Sequence, residues 1–424
     1  MAKLQKNLKR LALAKYCFFC IFAAIMSIDN INSKIDFNAP VDRRGTGCVK
    51  FDNLKTVYGR EDLTPLWVAD MDFEVAPAIS KALDERMKHH VYGYAIPSPG
   101  YYQSIINWVG NRYDLEVTPD EITYIPGIVR GIALAVNYFT RPGDKILIQP
   151  PVYHPFRNIS EGNNRVVVEN PLVLHPDGSY SMDLDGLRKT VETERPKLMI
   201  LCNPHNPAGI QWDEETLREV ARIAAANDMI VISDEIHGDL MLDGKRHVSF
   251  PTVSREASDV SIVFGAPSKT FNIAGLVSSW AVIKNPAVRE GFFHWLEVNE
   301  FNAPTFFATI ATEAAYNQSA SWLDDLLVYM AGNIDFMEQW FAQNLPAVKV
   351  LRPDASFLVW LDCRDLGLDH DQLVELMTDK ARLALNDGAM FGKEGSGFMR
   401  FNAGTRREVI KTALEQLKQA VESL

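Results

Sequence analysis

Residues 197–209 read KLMILCNPHNPAG. After the lysine comes an apolar run with no polar alternation, and a turn of Asn, Pro and Gly then stops it. An uninterrupted apolar run of that length fits a strand covered on both faces, which is the habit of parallel sheets. The same grammar recurs in MIVISDEIH (229–237) and in SIVFGAPSKTFNIAGL (261–276). Strands are predicted at 145–149, 197–202, 229–233, 261–265 and 278–283. Between the second and third lies an amphipathic helix that Asp213 can cap. Leu217, Val220, Ala221 and Ala224 fall on one face of it at i, i+3, i+4 and i+7. Strand, helix and strand in alternation imply an α/β fold with a mostly parallel wound sheet and helices on both faces.

Beyond residue 312 the pattern changes. A long helical stretch carries Trp322, Leu326, Tyr329, Met330 and Ile334, SFLVWL (356–361) reads as a strand, and 406–424 closes as a helix. The expected organisation is a large domain over 76–312 and a smaller α/β C-terminal lobe over 313–424. The segment 27–75 lacks a complete core and is expected to pack on that lobe or on a partner subunit. Residues 1–26 form a basic and apolar extension, with Lys3, Lys6, Lys9, Arg10 and Lys15 ahead of YCFFCIFAAIM (16–26). The run has the length of a signal-peptide core and is short for a membrane span. Three readings stand: a signal, an anchor, or a true start at Met26, with Ser27 opening a soluble domain. Cys17 and Cys20 have Cys-x-x-Cys spacing but no second ligand pair, so no metal site is expected.

Composition narrows the class. The 424 residues carry 43 Lys plus Arg against 54 Asp plus Glu, a formal charge of -11, and 47% hydrophobic residues. That excludes disorder and collagen-like repeats. An acidic balance without a basic block argues against a nucleic-acid partner. Five scattered cysteines make no disulfide framework and point to a reducing compartment, the cytoplasm, with no stable membrane association.

Four signals fall at or beyond strand ends, where ligands bind in open α/β sheets. Alone, the Asn203 to Gly209 turn is also an ordinary strand stop, and the acid of SDEIH is also an ordinary helix cap. Lys269, between a buried strand and FNIAG, is poorly placed for a solvated charge. A buried lysine readily loses its proton and becomes a nucleophile that forms Schiff bases. Arg400 in the apolar FMRFN (398–402) needs an anion, and a substrate carboxylate is the usual small one.

The order is more specific than any part: an Asn turn, an Asp 28 residues after Asn206, a Lys 35 residues later and an Arg 131 residues beyond that. This layout resembles the fold type I pyridoxal-phosphate enzymes of the class I/II aminotransferase superfamily, and within them the MalY/PatB-type cystathionine β-lyases. The resemblance runs from about residue 36 to the C-terminus through VDRRGTGCVKFD (41–52), LWVADMDF (66–73), VYGY (91–94), QPPVYHPF (149–156), NPHNPAG, SDEIH, APSKTFNIAGL, FLVWLDCR (357–364) and LALNDGAMFG (383–392). It implies an aspartate-aminotransferase-like fold and pyridoxal 5'-phosphate as cofactor. Lys269 would carry the Schiff base and then act as base on the substrate Cα, and Asp234 would keep the pyridine nitrogen protonated. Asn206 and His237 would flank the ring oxygen, Tyr153 would stack on the ring, and Arg400 would bind the α-carboxylate. The amides of Ile128 and Val129, at a helix start, would receive the phosphate, with Ser268 a further contact. Tyr94, counted with Lys269 and Asp234 in the catalytic set, would reach the neighbouring subunit's cofactor, which implies a homodimer with shared sites. Ala266 stands where many relatives have Ser, and Val277 where many have a phosphate-binding Arg. The implied reaction is β-elimination from L-cystathionine or a related cysteine S-conjugate to a thiol, pyruvate and ammonia. Transamination, or a regulator-binding role with secondary lyase activity, are the alternatives.

Overall fold

The computed structural model describes residues 35–424. The readings made of residues 1–26, including Cys17, Cys20 and a start at Met26, lie outside the described residues. Seven strands form the main sheet: Ile122–Ile125 (β1), Lys145–Ile148 (β2), Val166–Glu169 (β3), Leu198–Cys202 (β4), Ile230–Asp234 (β5), Ser261–Gly265 (β6) and Ser279–Val282 (β7). Their order across the sheet is β1-β7-β6-β5-β4-β2-β3. β7 pairs antiparallel with both β1 and β6, and the remaining pairings are parallel.

Alternation along these apolar strands divides the core in two. Leu147, Met199, Leu201 and Val231 face one side and pack with Leu217, Val220, Ala221 and Ala224 of helix Glu214–Ala226. Ile146, Ile148, Leu198, Ile200 and Ile232 face the other and meet Ile132 and Val136 of helix Ile128–Phe139. The central strands β4, β5 and β6 are buried on both faces almost throughout, so they carry no polar alternation to read. The Asp213 carboxylate accepts the Thr216 N–H at 2.8 Å, as an N-cap should.

Expected and observed strand limits differ by a residue or two, for local reasons. β2 stops before Gln149 because Pro150 and Pro151 follow and have no N–H for a ladder. The strand expected from residue 356 begins at Leu358, since Ser356 sits at φ 82°, outside extended backbone. β1 and β3, at the two sheet edges, were not among the five predicted strands.

A second, antiparallel sheet holds Lys349–Leu351 (β8), Leu358–Asp362 (β9), Asn386–Asp387 (β10) and Phe398–Asn402 (β11), in the order β8-β9-β11-β10. Thr64–Pro65 pairs in parallel with Leu383–Ala384, which ties the segment before residue 75 to the C-terminal part of the chain. Residue 312 lies inside helix Phe306–Gln318, and Phe37–Leu424 forms one compact unit. None of the described helices is long and apolar enough to cross a membrane.

Candidate active site

The C-terminal ends of β4, β5 and β6 lie side by side, with Cys202 opposite Asp234 and Asp234 opposite Phe264 in the ladder. Three signals spread over 66 positions of sequence therefore converge on one edge. There a cavity of about 260 Å³ is lined by Asn206, Asp234, His237, Ser268, Lys269 and Tyr153, and on its far wall by Gly127, Ile128, Val129 and Arg130.

Lys269 rides on the short helix Pro267–Thr270 just after β6. Its amine donates to the Ala69 carbonyl. Burial, reinforced by the charge of Arg400, lowers its pKa to about 8 against the attraction of Asp70 and Asp234. Asp234, 4% exposed, closes β5 and accepts the Ile236 N–H at 3.2 Å. Burial pushes its carboxyl up to about 7, although the Ile236 bond and the Lys269 charge pull the other way. Among the described residues it has no ion-pair partner. A ligand with a ring N–H⁺ would supply the missing cation.

Arg400 is the opposite case, a buried cation without a carboxylate. On β11, it donates to Asn206 Oδ1 (3.1 Å), the Trp67 carbonyl (3.0 Å) and Asn386 Oδ1 (2.5 Å), while Nε has no partner among the described residues. Asn386 lies directly across the ladder from it, and the Phe391 ring lies 5.0 Å from its guanidinium. Burial lowers the Arg400 pKa to about 10, with Tyr153 and Tyr58 acting in the opposite sense. All its acceptors are neutral, so an incoming carboxylate would meet an uncompensated charge. Because the Asn206 oxygen accepts from Arg400, the end of that amide left for a ligand is its NH₂.

His237 is buried, its Nδ1 has no partner among the described residues, and burial with the nearby Lys269 and Arg400 charges pushes its pKa down to about 3. It enters the site as a neutral ring. Tyr153 forms part of the wall, its phenol pKa raised by burial. Gly127, at φ 99°, precedes helix Ile128–Phe139, whose first N–H groups have no partner within the helix. Twelve residues of aligned peptide dipoles make this helix start a favourable place for an anion.

Two expected contacts stand differently. Ser268 lines the cavity, but its hydroxyl donates to the Ser278 carbonyl at 3.1 Å, so its proton is already committed. Tyr94 is fully exposed and lies outside the cavity of its own chain. Sequence reasoning passed over Ala69, Arg130 and Ser279. Arg130 was legible, since it follows the two helix-start amides directly and brings a cation to the same wall. Ala69 was not, because its part is a backbone carbonyl delivered from 200 residues away.

The buried anion, the buried amine, the uncompensated arginine and the helix start together fit a phosphorylated pyridine aldehyde and an amino-acid carboxylate. The profile of the family described as aminotransferase class I and II matches residues 61–417. The chain belongs to that family. Within it, the chain is 40% identical over 387 residues to cystathionine β-lyase PatB of Bacillus subtilis, covering 91% of this chain and all of that one. It is 30% identical to protein MalY of Escherichia coli, over 92% of this chain and 99% of the other. The crystal structure of the PLP-bound C-S lyase from Staphylococcus hominis superposes with a TM-score of 0.86 at 31% identity, covering 92% of this chain and 99% of that one.

Proposed function

We propose that the protein is a pyridoxal 5'-phosphate-dependent C-S β-lyase that cleaves L-cystathionine or a related cysteine S-conjugate to a thiol, pyruvate and ammonia. The observation that carries the reading is the pairing of a buried amine of lowered proton affinity with a buried carboxyl of raised affinity, beside an arginine that has no anion. When bound, pyridoxal 5'-phosphate supplies an electron sink for the charge left at Cα.

The chain supplies the rest. Arg400 binds the α-carboxylate and orients the substrate. Asp234, as the anion, would hold a proton on the pyridine nitrogen. Asn206, its oxygen fixed by Arg400, turns its NH₂ to the ring oxygen. Lys269 Nζ takes the Cα proton. The Cβ–S bond then breaks, its electron pair leaves with sulfur, and water completes the conversion to pyruvate and ammonia. The amides of Ile128 and Val129, with Arg130 beside them, would hold the phosphate, and Tyr153 would contact the ring.

Tyr94 serves the site of a second subunit, so the working unit is a homodimer. The exposed apolar side chains of Val91, Tyr92, Tyr94 and Ile96 on one short segment support that reading. A large cofactor lobe on the seven-stranded sheet (76–312) and a small lobe on the four-stranded one (313–424) would place substrate between them. Free, buried Cys202 and Cys363 support a reducing compartment, the cytoplasm.

Product analysis tests the reaction. Incubated with L-cystathionine and no keto acid, the enzyme is expected to release pyruvate and ammonia in equal amounts. Amino-group transfer to 2-oxoglutarate without pyruvate release would make it an aminotransferase instead.

A further inference from the structure

The stretch VDRRGTGCVKFD (41–52) has no part in the chemistry above, yet the fold gives it a definite task. Gly45 and Gly47 adopt φ of 71° and 75°, a region that side-chain residues avoid. Their turn lets Asp52 collect the N–H groups of Gly45 (2.9 Å), Gly47 (2.8 Å) and Cys48 (3.1 Å). The short helix Val49–Asp52 that follows buries Lys50 completely. Lys50 Nζ donates to Asp72 Oδ2 at 2.8 Å. From the other side of the turn, Arg43 grips Asp70 with both terminal nitrogens (3.0 and 2.6 Å), and also reaches Asp72 Oδ1 (2.8 Å) and the Met71 carbonyl (3.1 Å). Two cations of one motif thus clamp two carboxylates of another, WVADMDF.

The clamped segment supplies carbonyls to the side chains of the site. Trp67 accepts from Arg400, Ala69 from Lys269, and Val68 and Asp70 from Asn402. Any shift of residues 66–73 therefore reaches the nucleophile and the carboxylate receptor together. The charged and titratable groups coupled to Lys269 through space are Asp70 on this segment, Asp234 at the end of β5, His237 in the next turn and Arg400 on β11. Among the described residues, Asp70 is the one of these held in an ion pair.

We propose that Arg43 and Lys50 are positioning residues for the reaction: through Asp70 and Asp72 they fix the 66–73 segment against Lys269 and Arg400, and Arg43 neutralises the Asp70 carboxylate beside the Ala69 carbonyl that accepts from Lys269. This rests on the assignment of Lys269 and Arg400 made above.

The test uses holoenzyme, with the absorbance of the lysine-linked cofactor titrated against pH and with KM and kcat measured separately. In Arg43→Gln an unneutralised Asp70 favours the protonated nitrogen, so the midpoint should move to higher pH by roughly half a unit to one unit. KM should rise about fivefold or more as the Trp67 anchor of Arg400 loosens. Arg43→Lys keeps the charge but loses the two-pronged grip; its midpoint should stay near wild type while KM rises. In the double variant Arg43→Gln/Asp70→Asn the midpoint should return and KM remain high. Lys50→Met should raise KM with little movement of the midpoint. A midpoint and KM unmoved in Arg43→Gln, or a midpoint shift that survives Asp70→Asn, would overturn the proposal. Borohydride reduction with peptide mapping reads the anchor independently. Label on another lysine overturns the site assignment and this proposal with it, whereas label on Lys269 with an unmoved Arg43→Gln titration overturns the proposal alone.

Discussion

Lys269 and Asp234 line one cavity in which burial makes neither charge cheap and brings their proton affinities to about 8 and about 7. Cofactor uptake requires the neutral amine, so its rate in apoprotein is expected to rise with pH through about 8, which stopped-flow absorbance checks. The Asp234 carboxyl is raised from 3.8, so its favourable share of stability is present at low pH and is lost as pH climbs through about 7. Apoprotein of Asp234→Asn should therefore lose less Tm than wild type between pH 4 and pH 7, the window set by those two values. The same variant should retain bound cofactor yet show kcat lowered by about a hundredfold or more, because an amide cannot hold the pyridine proton. Wild-type kcat in that variant would remove Asp234 from the site.

At the scale of elements, the sheet edge is positioned by helices whose ends are defined chemically. Helix Glu214–Ala226 covers β4 and β5 from one face, and its start depends on Asp213. Asp213→Ala should cost about 1 kcal/mol and lower Tm by a few degrees, with KM unchanged because the cap lies outside the cavity. Thermal melts alongside steady-state kinetics separate the two effects. Helix Ile128–Phe139 presents its first amides as helix geometry dictates. The part of Arg130 could be read from position alone, whereas the commitment of the Ser268 hydroxyl to Ser278 could not, since that pairing is made only when β7 docks beside β6.

For the whole molecule, the fully exposed Tyr94 makes a separate demand. If each site takes Lys269 from one subunit and Tyr94 from the other, Lys269→Ala and Tyr94→Ala homodimers should each be nearly inactive. Dissociated together and reassociated, they should recover about a quarter of native activity, since hybrid dimers contain one intact site. No recovery despite proven subunit exchange would confine the site to one chain.

The wound α/β fold, the helix caps and the order of strand-end residues were fixed by the chain itself, because apolar runs and turn residues act over a few positions. Lys269 and Arg400 stood out because each breaks a local apolar pattern, whereas Asn206 and Asp234, an ordinary strand stop and an ordinary cap taken alone, stood out only by their order with the other two. What tertiary structure decided are quantities summed over distant segments. The Arg400 grip on Asn206 spans 194 residues and the Lys269 bond to Ala69 spans 200. The proton affinities of the site depend on burial by all these elements at once. A desolvated charge takes its properties from whatever surrounds it in space, and neighbours in space are chosen by folding and not by adjacency in sequence.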